Sequence, residues 1–116
     1  VEVDAIDECL IIIPKKVFST NQFSIIGPTW HLYGTDYALQ MKLINLPVLV
    51  FPSELWHVSD GKSLNLNYFD AIQWLLKKYS KNYSVIYTFF GVWPSNPILL
   101  KFKCLYRKLR FYIKGV

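Results

Sequence analysis

With 116 residues, the chain can build one domain with a modest core and is too short for two. Its hydrophobic fraction of 53% and aromatic fraction of 17% are high for a free-standing soluble domain, so apolar surface is expected to pack against more polypeptide or a membrane. The net charge of +5 is concentrated: six of the 13 basic residues follow Ser95 with no acid among them, which gives the tail +6 and the body −1.

The chain opens on Val1-Glu2-Val3-Asp4 without a basic-then-apolar leader, and it reads as the C-terminal piece of a longer protein. Ile6 to Ile13 is short, β-branched and closed by Pro14, which predicts a buried strand. The acidic pair Asp7-Glu8 within it is costly unless it sits at an exposed end or binds something. Pro14 to Phe18 can open a short helical turn, and Asn21 to Trp30 reads as loop around Gly27-Pro28. Tyr37, Met41 and Ile44 recur at helical spacing and predict a helix over 33–44, with Thr35 as N-cap and Asn45 as stop. Pro47 to Phe51 reads as a strand, and 57–63 as a loop on Asp60-Gly61. A second helix comes next over 66–79, capped by Asn65 and ended by Lys77-Lys78. Strand, helix, strand and helix make an α/β pattern.

Cys9 and Cys104 are far apart and lack metal-binding spacing, which favours free thiols over a disulfide. The apolar stretch 83–93 is too short to span a bilayer, and Pro94 and Pro97 prevent its continuation as one long helix. There is no P-loop, GxGxxG, nucleophile elbow or HExxH.

Five residues carry candidate chemistry. Asp36, in the first turn of a predicted helix, would be held ionised by the helix dipole and could accept a proton, or it could simply decorate the helix start. Trp30 and Tyr33 offer flat faces suited to sugar rings. His57, after a strand and before a glycine loop, could ligate a divalent metal or bond loop backbone; His31 is ambiguous in the same way.

The ordered blocks Ile6-Asp7-Glu8-Cys9-Leu10-Ile11-Ile12-Ile13-Pro14-Lys15-Lys16-Val17-Phe18, Trp30-His31-Leu32-Tyr33-Gly34-Thr35-Asp36-Tyr37 and His57-Val58-Ser59-Asp60-Gly61-Lys62-Ser63-Leu64 resemble the C-terminal, acceptor-side half of a GT-A fold inverting glycosyltransferase. The likeness is to the large bacterial family that includes rhamnosyl- and galactofuranosyltransferase-like enzymes, and it runs from about Ile6 to Tyr79. It implies Asp36 as catalytic base, Asp7, Glu8, Trp30, His31 and Tyr33 on the acceptor side, and His57 as a ligand to Mn or Mg. It also implies a nucleotide-diphospho-sugar donor and a glycan or lipid-linked acceptor. The Asp-x-Asp metal motif of the nucleotide-binding half is missing, since Asp4-Ala5-Ile6-Asp7 has the wrong spacing. Asn21-Gln22-Phe23-Ser24 lacks the glycine and acid that many members carry. Residues 1–80 are thus expected to form the acceptor-side half, inactive alone, and 81–116 a basic amphipathic tail.

In that tail, Pro97 to Lys114 mixes apolar and basic residues at helical spacing. It is either an interfacial helix on an anionic membrane surface or a helix with its apolar side on the body and its lysines in water. The first would make a cytoplasmic protein peripheral at the inner face of the membrane. A rival from another class is a non-enzymatic basic binding module. Nucleic acid is not expected, because the positive charge is confined to the tail while Trp30, Tyr33 and Trp56 sit beside acids.

Overall fold

Tyr68, Phe69, Ile72, Leu75, Leu76 and Tyr79 recur at helical spacing, and in the computed structural model of the protein they form one buried stripe. The structure describes residues 1–6, 9–27, 29–56, 58 and 65–114, without the side chain of residue 114. Among these residues the fold is mixed α/β: helices α1 (Lys15–Thr20), α2 (Tyr33–Leu43), α3 (Asn67–Tyr79) and α4 (Pro97–Lys114), with strands β1 (Val85–Thr88) and β2 (Gly91–Pro94).

Helix α2 begins differently from expectation. Leu32 takes a left-handed conformation (φ 66°) and its carbonyl accepts the Asp36 N–H at 2.8 Å, so the helix starts ahead of Thr35. Thr35 therefore lies inside the first turn, and its hydroxyl donates to the Ile6 carbonyl at 3.3 Å instead of capping. The other end matches the sequence. Asn45 is left-handed (φ 59°), its N–H reaches the Lys42 carbonyl at 3.1 Å, and the Leu46 N–H returns to Met41 at 2.9 Å. That pair of bonds satisfies the last carbonyls of the helix, and asparagine tolerates the conformation it requires. At the start of α3 the cap position is Leu66 and not Asn65, which lies one residue further out and whose Oδ1 accepts the Asn67 N–H at 2.9 Å.

The expected strands over 6–13 and 47–51 do not form among the described residues. A strand needs an edge to bond to. Residues 48–50 find only the chain's first residues: Val3 N–H donates to the Val48 carbonyl at 3.0 Å and Val50 N–H to Val1 at 2.8 Å, giving a single bridge between Glu2 and Leu49. The sheet lies instead in the apolar stretch after α3. There β1 and β2 pair antiparallel with Ile86 opposite Trp93 and Thr88 opposite Gly91, around Phe89-Phe90. Ile86 and Trp93 point inward while Val85, Tyr87 and Val92 point out, as a two-residue period requires. The Thr88 hydroxyl ties the hairpin to α3: it donates to the Gly91 carbonyl (3.1 Å), accepts from the Trp93 indole (3.2 Å) and lies 2.8 Å from the Tyr68 hydroxyl. With its one proton already given to Gly91, it must accept from Tyr68 as well.

Two buried clusters result. The larger joins Leu32 and Leu39 of α2, the α3 stripe, Ile86, Trp93, and Leu100 and Cys104 of α4, so residues from both sides of position 80 share it. The smaller joins Tyr37, Ala38, Met41 and Val48, with Val3, Ile6, Ile13 and Val17 against them. Helix α2 supplies both and is buried nearly all round. Cys104 is buried and Cys9 exposed.

Candidate functional site

The N-terminal turns of α2 meet described residues of the first block and the residue that follows the third. From the first block, Ile6 takes the Thr35 hydroxyl, and Ile6, Ile13 and Val17 pack on the cluster of Tyr37. The Tyr37 hydroxyl donates to the Asn21 carbonyl at 2.9 Å, just beyond α1. Phe23 stands edge-on to Tyr33, with ring centres 5.5 Å apart, and 4.9 Å from Tyr37. His31 reaches across to Asn65, the residue immediately after the third block.

Asp36 lies within this crossing and is 0% exposed. Its Oδ1 accepts from the Lys78 ammonium at 2.7 Å and from the Tyr79 hydroxyl at 2.8 Å, and that hydroxyl also stands 3.0 Å from the Asp36 carbonyl. Lys78 continues to the Ser24 hydroxyl at 2.7 Å and lies over the Trp74 ring. Oδ2 is buried and has no hydrogen-bond partner among the described residues. One carboxylate oxygen is therefore fixed and the other uncommitted. The charge of Asp36 is compensated by Lys78, as burial of a carboxylate demands. Burial, and then the bond to Asp36, push the Tyr79 phenol far above its ordinary value and keep it a donor.

His31 is buried, with its ring 4.0 Å from that of Trp30 and edge-on to Tyr68. Its Nε2 is 3.2 Å from Asn65 Oδ1, the oxygen that also accepts the Asn67 N–H. That backbone donor fixes which end of the amide faces the ring, so Nε2 carries the proton and donates. Trp30 covers the outer side and remains half exposed, a flat apolar surface beside the helix start. Burial lowers the His31 pKa below 6.5, outweighing the opposing bond to Asn65. Below pH 6.5 the unfolded chain then binds a proton that the folded chain refuses, and stability falls by up to about 1.4 kcal/mol per pH unit. Urea unfolding between pH 6.5 and 5 is expected to show this slope, and His31→Gln to flatten it relative to wild type.

Asp7, Glu8 and His57 lie outside the described residues. Among the described residues no three His, Cys, Asp or Glu side chains gather as a metal site. An open groove of about 510 Å³ is lined by Val3–Ile6 and the hairpin residues Tyr87–Phe89, and not by Trp30, His31 or Asp36. Sequence reasoning missed Lys78 and Tyr79 as partners of Asp36 and saw Asn65 only as a cap. The available signal was that Tyr79 ends the buried row of α3 with Lys78 beside it, where a carboxylate from elsewhere in the fold could meet them. No family model, curated protein or solved structure matches the chain.

Proposed function

We propose that this chain is the acceptor-side part of an inverting, nucleotide-sugar-dependent glycosyltransferase of the GT-A type, whose nucleotide-binding half lies outside it. The observation that supports the reading is the convergence on the first turns of α2: the Ile6 carbonyl, the loop at Asn21 and Asn65 are all bonded to residues of the Trp30–Tyr37 block. In this reading Trp30, His31 and Tyr33, with Asp7 and Glu8, form the acceptor side for a glycan or lipid-linked hydroxyl.

The proposed reaction is a single in-line displacement. The acceptor hydroxyl gives its proton to Asp36 Oδ2, its oxygen bonds to the anomeric carbon, and the bond from that carbon to the nucleoside diphosphate breaks. Lys78 and Tyr79 hold Oδ1 and fix the carboxylate's rotamer. A divalent cation, held mainly by the other half and by His57, would supply charge neutralisation at the leaving diphosphate. Because Oδ2 is enclosed, proton transfer requires the side chains that cover it to move aside on acceptor binding.

That same burial favours a second reading, in which Asp36 is an anchor for the packing of α2 on α3 and the base is another residue. Transfer assays on the protein carrying both halves, with Mn²⁺ or Mg²⁺, separate the two. Asp36→Asn is expected to lose turnover about 10²- to 10⁴-fold with donor binding retained and the melting temperature lowered by only about 5 °C. Turnover kept at the wild-type level would remove Asp36 as base, and joint loss of turnover, donor binding and melting temperature would mark it as the anchor.

A further inference from the structure

Helix α4 packs on the body by a narrow stripe. Leu100 and Cys104 are buried in the larger core, Arg107 donates to the Phe90 carbonyl at 3.3 Å, and Lys103 reaches the Val92 carbonyl. The opposite side is apolar. Ile98, Phe102, Leu105, Leu109 and Tyr112 succeed one another at steps of four and three, which is one helical row, and each is 52% to 70% exposed. The large apolar side chains of this row thus face outward, while Leu100 and Cys104 face the body.

The cations are placed accordingly. At 3.6 residues per turn, Lys101 and Lys108 form a row along one flank of the exposed face and Arg110 lies beyond the other, while Lys103 turns to the Val92 carbonyl and the Trp93 ring. Lys108 lies 3.8 Å from Asp70 of α3, and Arg110 rests by the ring of Tyr106. No acid occurs on α4 itself. Protein interfaces deplete lysine, whereas a helix lying in the headgroup plane carries Lys and Arg beside an apolar face. Aliphatic stems then rest on the hydrocarbon boundary while their charged ends meet phosphates. No helix among the described residues is long and apolar enough to cross a membrane, so the contact is with the surface.

We propose that the outward face of α4 docks the protein flat on an anionic lipid bilayer, with Phe102, Leu105 and Leu109 entering the interface and Lys101 and Arg110 pairing with headgroup phosphates. The inference is independent of sugar transfer: vesicle binding reads α4, and turnover reads the residues around α2.

Cosedimentation of the full chain with phosphatidylcholine vesicles, with and without phosphatidylglycerol, tests it. Binding is expected only to the anionic vesicles and to weaken with salt. Lys101→Gln with Arg110→Gln is expected to weaken it about 30-fold. Phe102→Glu with Leu109→Glu is expected to weaken it about a hundredfold or more; both positions are exposed, so far-UV circular dichroism checks that the fold persists. As a second readout, Tyr112→Trp emission should shift to the blue on anionic vesicles. Equal binding to neutral vesicles would overturn the proposal, as would an unshifted Tyr112→Trp emission. A dimer that Phe102→Glu dissociates, without vesicle binding, would give this face to a second copy of the chain and overturn it too.

Discussion

Asp36→Ala is expected to cost the chain about 3 kcal/mol, a large fraction of the stability available to a domain of this size. The low end of the range for a broken buried pair applies, because the Lys78 side chain is 32% exposed and can swing its ammonium into water. Tyr79 cannot follow it. Its hydroxyl is left with the Asp36 carbonyl at 3.0 Å as acceptor, beside the space vacated by the carboxylate. Thermal and urea unfolding of Asp36→Ala beside wild type measure the loss. An unchanged midpoint would mean that the Lys78–Asp36–Tyr79 cluster contributes nothing to the packing of α2 on α3. Asp36→Asn keeps the shape and an acceptor for Tyr79, so its expected cost is only about 1 kcal/mol. The two substitutions thus separate architecture from proton transfer at the same position.

Thr88→Val should cost about 2 to 3 kcal/mol despite conserving shape and strand preference. Valine fills the same volume, so packing against Trp93 is unaltered. What disappears is a hydroxyl that serves three groups at once. The buried Trp93 indole N–H loses the acceptor at 3.2 Å, and the Tyr68 hydroxyl and Gly91 carbonyl each lose one bond. Thr88→Ser restores the hydroxyl and is expected to recover most of the difference. Equal destabilisation by valine and serine would assign the effect to the missing methyl and not to the hydrogen bonds.

Much of the helical framework was legible in the sequence. The buried row of α3 and its closing lysines are dictated by spacing and by the chemistry of helix ends, though its cap falls on Leu66, one residue after Asn65. So is the stop of α2 at Asn45, where one residue supplies the left-handed turn. The start of α2 was not legible, because leucine is a poor marker for a left-handed position; Leu32 holds it through burial in the larger core. The strand expectations failed for a related reason. Ile11, Ile12 and Ile13 carry a strand composition, yet composition supplies no partner edge, whereas the hairpin carries its own in Thr88–Gly91. Gly91, left-handed at φ 118° after two phenylalanines, was the available turn signal. The tail is the opposite case. Its helix was readable, but which side faces outward depended on what it packs against, and no periodicity reports that.

The double burial of α2 has a consequence for how this sequence can vary. Leu32 and Leu39 fill one cluster while Tyr37, Ala38 and Met41 fill the other, so the helix is a shared wall with no vacant side. A larger residue on one side pushes the wall into a space that is already full, and a smaller one leaves a void in both. Substitutions along α2 must therefore arrive as compensated pairs that reach across to α3 or to the N-terminal segment. The outward row of α4 carries no such obligation to the fold and can drift as far as its own partner permits.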